Sequence, residues 1–389
     1  MSQLKVNTIR HTGASSDAVT LASDGTCTAK ITNNLSNRNL IINGAMQVAQ
    51  RSTSSTSSGL ATVDRFSVNH SIQAAPTQAQ VDVAAGTTPY TLGFRKALKI
   101  TNGNQSNGAV ASDIFYIRQL IESQNIAQSG WNYTSTSSYI TLSFWVKSSV
   151  AQNFHGHVKT LDGTEQILPF QTGSLTANTW TKITKVIPGN SNLQFDNNND
   201  KGLQVSVAPY MGTTYTSSSA VFDQWQAYSA GIFAGTDMTT TWFTTNGATF
   251  EVTGFQLEVG DVATDFEHRS YNDELARCQR YFYRAIARGM APARGAGSSA
   301  LLAGWVIPVP LRAEPTISKG DDSTNGNWNI RAYETDGVSD SANTPTVGTR
   351  GFEVNQNQVT IYQTGHSVTD DRVLTIYQGG GYLDFSSEL

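Results

Sequence analysis

The densest gathering of acids, bases and a thiol lies in residues 260–284, "GDVATDFEHRSYNDELARCQRYFYR". Nine of these twenty-five residues are Asp, Glu, Lys or Arg, in a chain that is 14% charged overall. With His268 and Cys278 they comprise the residue types of general acid–base and nucleophilic catalysis. The spacing argues for a structural element instead. Ser270 followed three residues later by Asp273 fits a capping box. Asp273 and Glu274 fall in the first turn, where the helix dipole favours negative charge. Arg277, Arg280 and Arg284 fall later, where it favours positive charge. Asp273 and Glu274 stand i, i+4 and i, i+3 from Arg277, the spacings of helical ion pairs. Leu275, Cys278 and Phe282 make an apolar stripe at helical period, on which a free cysteine behaves as a small hydrophobe. The pattern predicts a helix over 271–284 whose charges are structural.

The remaining candidates are sparser. His155 and His157 in "HGH" share one side of a strand, as metal ligands could, but no third ligand lies near in sequence, so an exposed polar strand face is expected. "DNNND" (196–200) offers oxygen ligands for a structural Ca2+ but lacks the glycine and distal Glu of an EF-hand loop, so a turn is expected. No metal site and no cofactor are otherwise expected. No GxSxG, HExxH or P-loop pattern occurs, and no catalytic residue is assigned. Aromatic faces offer flat apolar surface to sugar rings. Trp145 lies on the polar side of its strand between Ser143 and Lys147, and Trp131, Tyr133, Trp225, Tyr228 and Trp242 lie in or beside loops. These six are the candidate glycan contacts. Against each stands the tendency of large aromatics to be buried in a core or subunit interface.

The elements that would position them read as β-structure. The 389 residues suffice for two or three domains, with 38% hydrophobic content, 33 Gly, and Ser, Thr, Asn and Gln filling the deficit. "YITLSFWVKS" (139–148) puts Ile140, Leu142, Phe144 and Val146 on one face. "NFHGHVKT", "NTWTKITKVIPG" and "GLQVSVAPY" alternate likewise. "ATFEVTGFQLEVG" changes phase at Gly254, a bulge signal. Residues 113–130 hold Ile, Phe and Tyr at strand density, with a helical turn as the alternative. "RSTSSTSS" (51–58) reads as a flexible polar loop. "LLAGWVIPVPLRAEPTI" (301–317) carries prolines that favour an edge or irregular strand, and "NQNQ" (355–358) suits a hairpin turn. The short strand "LKVNTI", a turn at "SDGT" and the loop "TNNLSNRN" make an N-terminal segment that buries too little to fold alone.

Net charge is −4, with 26 basic and 30 acidic residues and no Lys/Arg cluster, which argues against nucleic-acid binding. Cys27 and Cys278 lie in unrelated contexts and form no disulfide framework. No secretory h-region opens the chain and no apolar run reaches membrane-span length, so synthesis in a cytoplasm without classical export or membrane insertion is expected. The fold class expected is all-β: an antiparallel sandwich, a connecting helix and a smaller β-sandwich domain.

"NLIINGAMQVAQR", "VDRFSV", "YTLGFRKALKIT", "YITLSFWVKSS", "TWTKITKVIPG" and "FEVTGFQLEVGDVATDFEHRSYNDELARCQRYF" run in order over 39–282. Together they resemble bacteriophage tail fibre proteins, notably those of phages of cyanobacteria and other marine bacteria. "NLIINGAM" and "GFQLEVGDVATDFE" also resemble the first and last strands of carbohydrate-binding jelly-roll modules. The resemblance implies a homotrimeric virion protein that attaches through residues 1–38 to the phage tail or an adaptor. It implies a jelly-roll body over 39–270, a joint at 271–284 and a distal tip over 285–389. It implies recognition of a host surface glycan or lipopolysaccharide without catalysis. In such a trimer the connecting helix is expected near the three-fold axis, with Leu275, Cys278 and Phe282 at the trimer contact. The alternative is a tailspike-type depolymerase, whose long parallel β-helix repeat is not visible in the sequence.

Overall fold

The computed structural model describes residues 6–23, 25, 27–29, 37–286, 290–295, 300–320, 330–334, 339–342, 347–352, 358–364, 373–378 and 382–389. Near the N-terminus, β1 (Thr8–Ile9), β2 (Val19–Leu21) and β3 (Cys27–Ala29) form a small antiparallel sheet. Its apolar residues find no core: Ile9 is 55% and Leu21 40% exposed. Leu4 of "LKVNTI" and residues 32–36 of "TNNLSNRN" lie outside the described residues.

The body is a two-sheet sandwich. In chain order its strands are β4 (Ser54–Ser55), β5 (Ser67–Ser71), β6 (Thr77–Asp82), β7 (Lys96–Thr101), β8 (Ile114–Glu122), β9 (Tyr139–Ser148), β10 (Asn153–Thr160), β11 (Gln166–Ser174), β12 (Thr181–Pro188), β13 (Lys201–Met211), β14 (Gln226–Ala227) and β15 (Thr249–Val259). One six-stranded sheet has the order β14-β11-β10-β13-β8-β5, the other β12-β9-β15-β7-β6-β4. Every ladder in both is antiparallel. Consecutive strands cross repeatedly between the sheets, giving a jelly-roll-type sandwich.

Alternation drives the burial. Ile140, Leu142, Phe144 and Val146 are at most 1% exposed. They share one core with Phe115, Phe154 and Phe170 from the facing sheet, Phe66 just before β5, and Phe250 from the neighbouring β15. Phe144 stacks on Phe255 at 4.7 Å with 6° between the rings. Burying each such side chain contributes roughly 1.5–3 kcal/mol. The expected bulge is present: Gly254 takes φ 67°, and the β15–β9 register shifts between Thr253 and Gln256. Phe250 and Val252 before it and Phe255 and Leu257 after it therefore all face inward.

Several sequence expectations need correction. The polar stretch 51–58 contributes β4, which pairs with β6. Residues 113–130 are both a strand, β8, and a short helix, Ser123–Ala127. The expected helix over 271–284 ends early, at Tyr271–Gln279, and Phe282–Ile286 is a strand. Ser270 caps it as expected, accepting from the Asp273 amide at 3.2 Å. The helical ion pairs do not form as spaced: Arg277 donates to Asn37 Oδ1 at 2.7 Å, and Glu274 faces Arg269 at 3.5 Å.

The strand Phe282–Ile286 belongs to a three-stranded sheet with Tyr382–Ser386 and Thr316–Gly320. A seven-stranded antiparallel sheet holds the remaining C-terminal strands. Of 301–317, expected as an edge or irregular strand, 307–315 is irregular, and Ala300–Val306 lies inside that sheet between Met290–Gly295 and Gln358–Thr364. Pro308 and Pro310 fall after its end and so cost it no ladder bond. The strands flanking "NQNQ" pair antiparallel, and the turn residues 355–357 lie outside the described residues.

Candidate functional site

The stretch 260–284 resolves as a joint. Cys278 is fully buried, and burial together with the nearby Asp64 and Glu274 carboxylates holds its thiol well above the usual range, so it is neutral and inert. Arg280 closes two hydrogen bonds on Glu122, and Arg284 two on Asp384. Arg51 lies over the Phe282 ring and Arg65 over the Tyr281 ring, at 3.5 and 3.4 Å. Cys278 and Phe282, expected at a trimer contact, are already covered within one protomer, because the chain after the helix folds back onto the sandwich; Leu275 is half-buried. A cavity of about 760 Å³ lies beside this joint. Its charged residues are occupied: Arg269 by Glu267, Asp273 by Ser270, and Arg280 by Glu122.

"DNNND" is likewise a contact. Asn199 Nδ2 donates to the Arg312 carbonyl at 2.6 Å, and Arg312 Nη1 donates to the Asn199 carbonyl at 2.7 Å and lies 3.7 Å from Asp200. Among the described residues, no group of three or more His, Cys, Asp or Glu side chains is placed to hold a metal.

Register builds a polar surface on the outer face of the sheet containing β10. Ser67, Arg118, Ser206 and His157 stand opposite one another across β5, β8, β13 and β10. Gln204 and Lys159 pair in the adjoining row, Asn69 and Tyr116 in the other. The segment after β13, residues 212–240, lies over part of this face. Phe222 packs on His155 at 5.5 Å and Phe233 on His157 at 5.0 Å. The Gly235 amide donates to His155 Nδ1, and Asp237 lies 3.6 Å from His155 Nε2. The two histidines do share a side, but they are 0% and 1% exposed rather than on an open face. Burial, with Lys159 and Arg118 nearby, pushes His157 down to about 3, so its imidazole is neutral near pH 7.

Where the covering segment stops, half-buried rings lie beside two cations, the half-buried Arg118 and the largely buried Lys159. Tyr228 is half-buried against Phe233 at 5.3 Å, and Lys159 Nζ sits 3.6 Å from its ring centre. Tyr215 packs on Phe233 from the other side at 6.3 Å. Arg118 lies 5.7 Å from the Tyr116 ring and donates to Gln204 Oε1 at 3.4 Å, leaving its buried Nε without a partner. Burial and the surrounding Glu165, Tyr116 and Tyr215 raise the Tyr228 phenol, so it stays protonated and can donate. This is a ring surface edged by the Arg118 guanidinium and the Tyr228 phenol, with Lys159 and Gln204 largely buried beneath it and bonded to Glu165 and to His157 and Ser206. Rings with such donors can pack the apolar face of a polyhydroxylated ligand and bond its edge.

The six aromatics named from sequence divide. Trp242 and Trp131 are 0% and 3% exposed. Their indole N–H groups donate to the Thr249 and Ser138 carbonyls, so both are core residues and offer no ring to a ligand. Tyr133 packs edge-on against Phe195 at 4.9 Å, and Trp225 donates to the Pro188 carbonyl at 2.8 Å; both are half-buried. Tyr228 joins the surface just described, and Trp145 lies on the outer face of the other sheet. Tyr116, Arg118, Tyr215 and Phe233 were not anticipated. The alternation of β8, with Phe115 and Ile117 inward, carried the signal for Tyr116 and Arg118.

No protein-family model matches the chain. No curated protein matches it in sequence. Among solved structures, it is similar to the enzymatically active domain of tailspike protein 4 of bacteriophage CBA120 (9% identity, TM-score 0.30), over 57% of this chain and 21% of that one. It is similar to TmCBM61, solved with β-1,4-galactotriose (12% identity, TM-score 0.27), over 57% of this chain and 98% of that one. It is also similar to the family 11 carbohydrate-binding module of Clostridium thermocellum, solved with a β-1,3-1,4-mixed-linked tetrasaccharide (11% identity, TM-score 0.25), over 52% of this chain and 91% of that one.

Proposed function

We propose that this chain is a bacteriophage tail fibre protein that recognises a host-surface glycan on the outer face of the β14-β11-β10-β13-β8-β5 sheet and does not cleave it. The observation that carries the glycan reading is the surface of Tyr228, Phe233 and Tyr215 bordered by Lys159, Arg118 and Gln204. Half-buried rings beside the Arg118 guanidinium and the Tyr228 phenol fit a neutral or acidic sugar chain lying along the face. The acids nearest it are committed to partners: Glu165 lies 2.8 Å from Lys159, and Asp237 accepts from Gln171 and faces His155. That favours binding over acid–base cleavage, which needs two carboxyls poised across a bond.

The virion setting rests on the ordered motif resemblance over residues 39–282. The exposed apolar side chains of the β1–β3 sheet favour association of that segment with copies of itself or with a tail protein, and closed three-fold symmetry would bury them. No helix among the described residues is long and apolar enough to cross a membrane. The test is incubation of the purified protein with envelope polysaccharide from the host. Saturable binding with no release of oligosaccharide supports the reading. Sustained release would replace it with the depolymerase alternative.

A further inference from the structure

On the opposite face of the sandwich, the structure assigns a second and smaller site, which we infer to hold a single neutral hexose at the end of a glycan. The inference rests on the glycan reading above but on different residues. A cavity of about 220 Å³ opens there, lined by Phe94, Trp145, Lys182, Asp265, Phe266 and His268 among others. Ligand pockets for larger molecules run to roughly 300–1,000 Å³, so this one suits one ring rather than a run of chain.

The bulge in β15 forms the floor. In the β12-β9-β15 ladder, Lys182, Trp145 and Thr253 stand in one row on the outer face. Gly254 follows in a left-handed conformation. A side chain there would put its Cβ 2.8 Å from Phe94 Cζ and 3.1 Å from Trp145 Cδ1. Glycine therefore lets both rings approach the backbone. Trp145 stands on a rigid strand, half-buried against the small cluster of Ala45, Val83, Phe94 and Ala97, with the rest of its ring lining the cavity.

The walls come from Phe94, just before β7, and from the segment after β15. Phe94, Phe266 and His268 pack on one another, with ring centres 4.8 to 5.1 Å apart. His268 Nε2 donates to the Leu92 carbonyl at 2.8 Å, which fixes the orientation of the ring. Lys182 and the Asp265 carboxylate are exposed at the mouth and form no ion pair among the described residues. One ring face, one carboxylate, one ammonium and one imidazole match the C–H face and hydroxyl edge of a pyranose. The mixed charge at the mouth favours a neutral sugar over a uronic acid. The sheet-face surface would then hold the glycan along its length while this pocket reads an end.

The test uses saturation-transfer NMR of the full chain with a panel of neutral methyl hexopyranosides, alongside binding of host envelope polysaccharide. Three variants are compared: Trp145→Ala, the exposed Asp265→Asn, and Tyr228→Ala. The expectation is that at least one methyl hexopyranoside binds. Trp145→Ala then weakens it by about tenfold or more, the loss of one large buried contact. Asp265→Asn, which keeps the fold and the shape, also weakens it, and Tyr228→Ala does not. Loss of methyl glycoside binding in Tyr228→Ala alone would overturn the second site. So would wild-type protein that binds polysaccharide but no methyl hexopyranoside, an outcome that leaves the sheet-face reading standing. Wild-type protein that binds neither would sink both.

Discussion

Arg280 grips Glu122 with two parallel hydrogen bonds, Nε to Oε1 and Nη2 to Oε2, each 2.9 Å. Tyr281 adds a third to Oε1 at 2.6 Å. Glu122 ends β8 and Arg280 follows the connecting helix, so the pair fastens the joint to the sandwich. Burial alone would raise the Glu122 carboxyl, but the bonds from Arg280 and Tyr281 outweigh it and hold it below the usual range. Glu122→Gln removes the charge from a fully buried position and leaves Arg280 short of a partner. We expect a loss of about 2–4 kcal/mol in urea unfolding, at the lower end of buried-pair deletions because the Arg280 side chain is 30% exposed. Glycan binding by the folded protein should be unchanged.

Gly156 separates the two buried histidines and points the other way, into the core. A Cβ there would lie 2.3 Å from Phe170 Cζ and 2.6 Å from the Ser206 carbonyl oxygen. The second of these is backbone on the paired strand β13 and cannot swing aside. Gly156→Ala should therefore destabilise by about 1–3 kcal/mol, as overpacked cores do. Thermal unfolding of the variant checks it; a change within about 0.5 kcal/mol, ordinary for a surface site, would contradict the packing described.

Two buried groups titrate in opposition. His157 is held at about 3 against an ordinary 6.5. Its contribution is full above pH 6.5 and is lost as pH falls toward its folded value. Asp64 is raised from 3.8 to about 6, chiefly by burial, with the Gln50 hydrogen bond opposing. Its contribution is full below pH 3.8 and is lost as pH rises through 6. Between about pH 4.5 and 6 the two slopes, each up to about 1.4 kcal/mol per pH unit, oppose one another. Urea midpoints of the wild-type protein should vary little from these two groups across that window. Asp64→Asn should lose stability on acidification there, and His157→Gln should gain it. The same pH slope in both variants would refute the opposition.

Much of the sandwich was legible because its signal is local. Ile140, Leu142, Phe144 and Val146 alternate on one strand, and the phase change at Gly254 marks a bulge within a single strand. The joint was half legible. Ser270 and Asp273 cap a helix by contacts three residues apart. Phe282 kept the helical spacing with Leu275 and Cys278 yet lies in a strand. What decides it is its pairing with Ser386 and the bond of Arg284 to Asp384, both about a hundred residues away in sequence. A longer separation, 158 residues, hid the pairing of Arg280 with Glu122. The candidate site was least legible. Trp131 and Trp242 sit among Ser and Thr, and nothing local says that their rings turn inward. His155 and His157 are buried by residues 212–240, which leave the sheet and return over it.

The central claim is that the glycan lies on the ring surface around Tyr228. Equilibrium binding of host envelope polysaccharide to Tyr228→Ala and Arg118→Ala, each checked for native unfolding behaviour, tests it directly. Removal of one anchoring contact should weaken binding by about tenfold or more in each variant, with no oligosaccharide released by any of the proteins. Binding equal to wild type in both variants, with the fold intact, would contradict it.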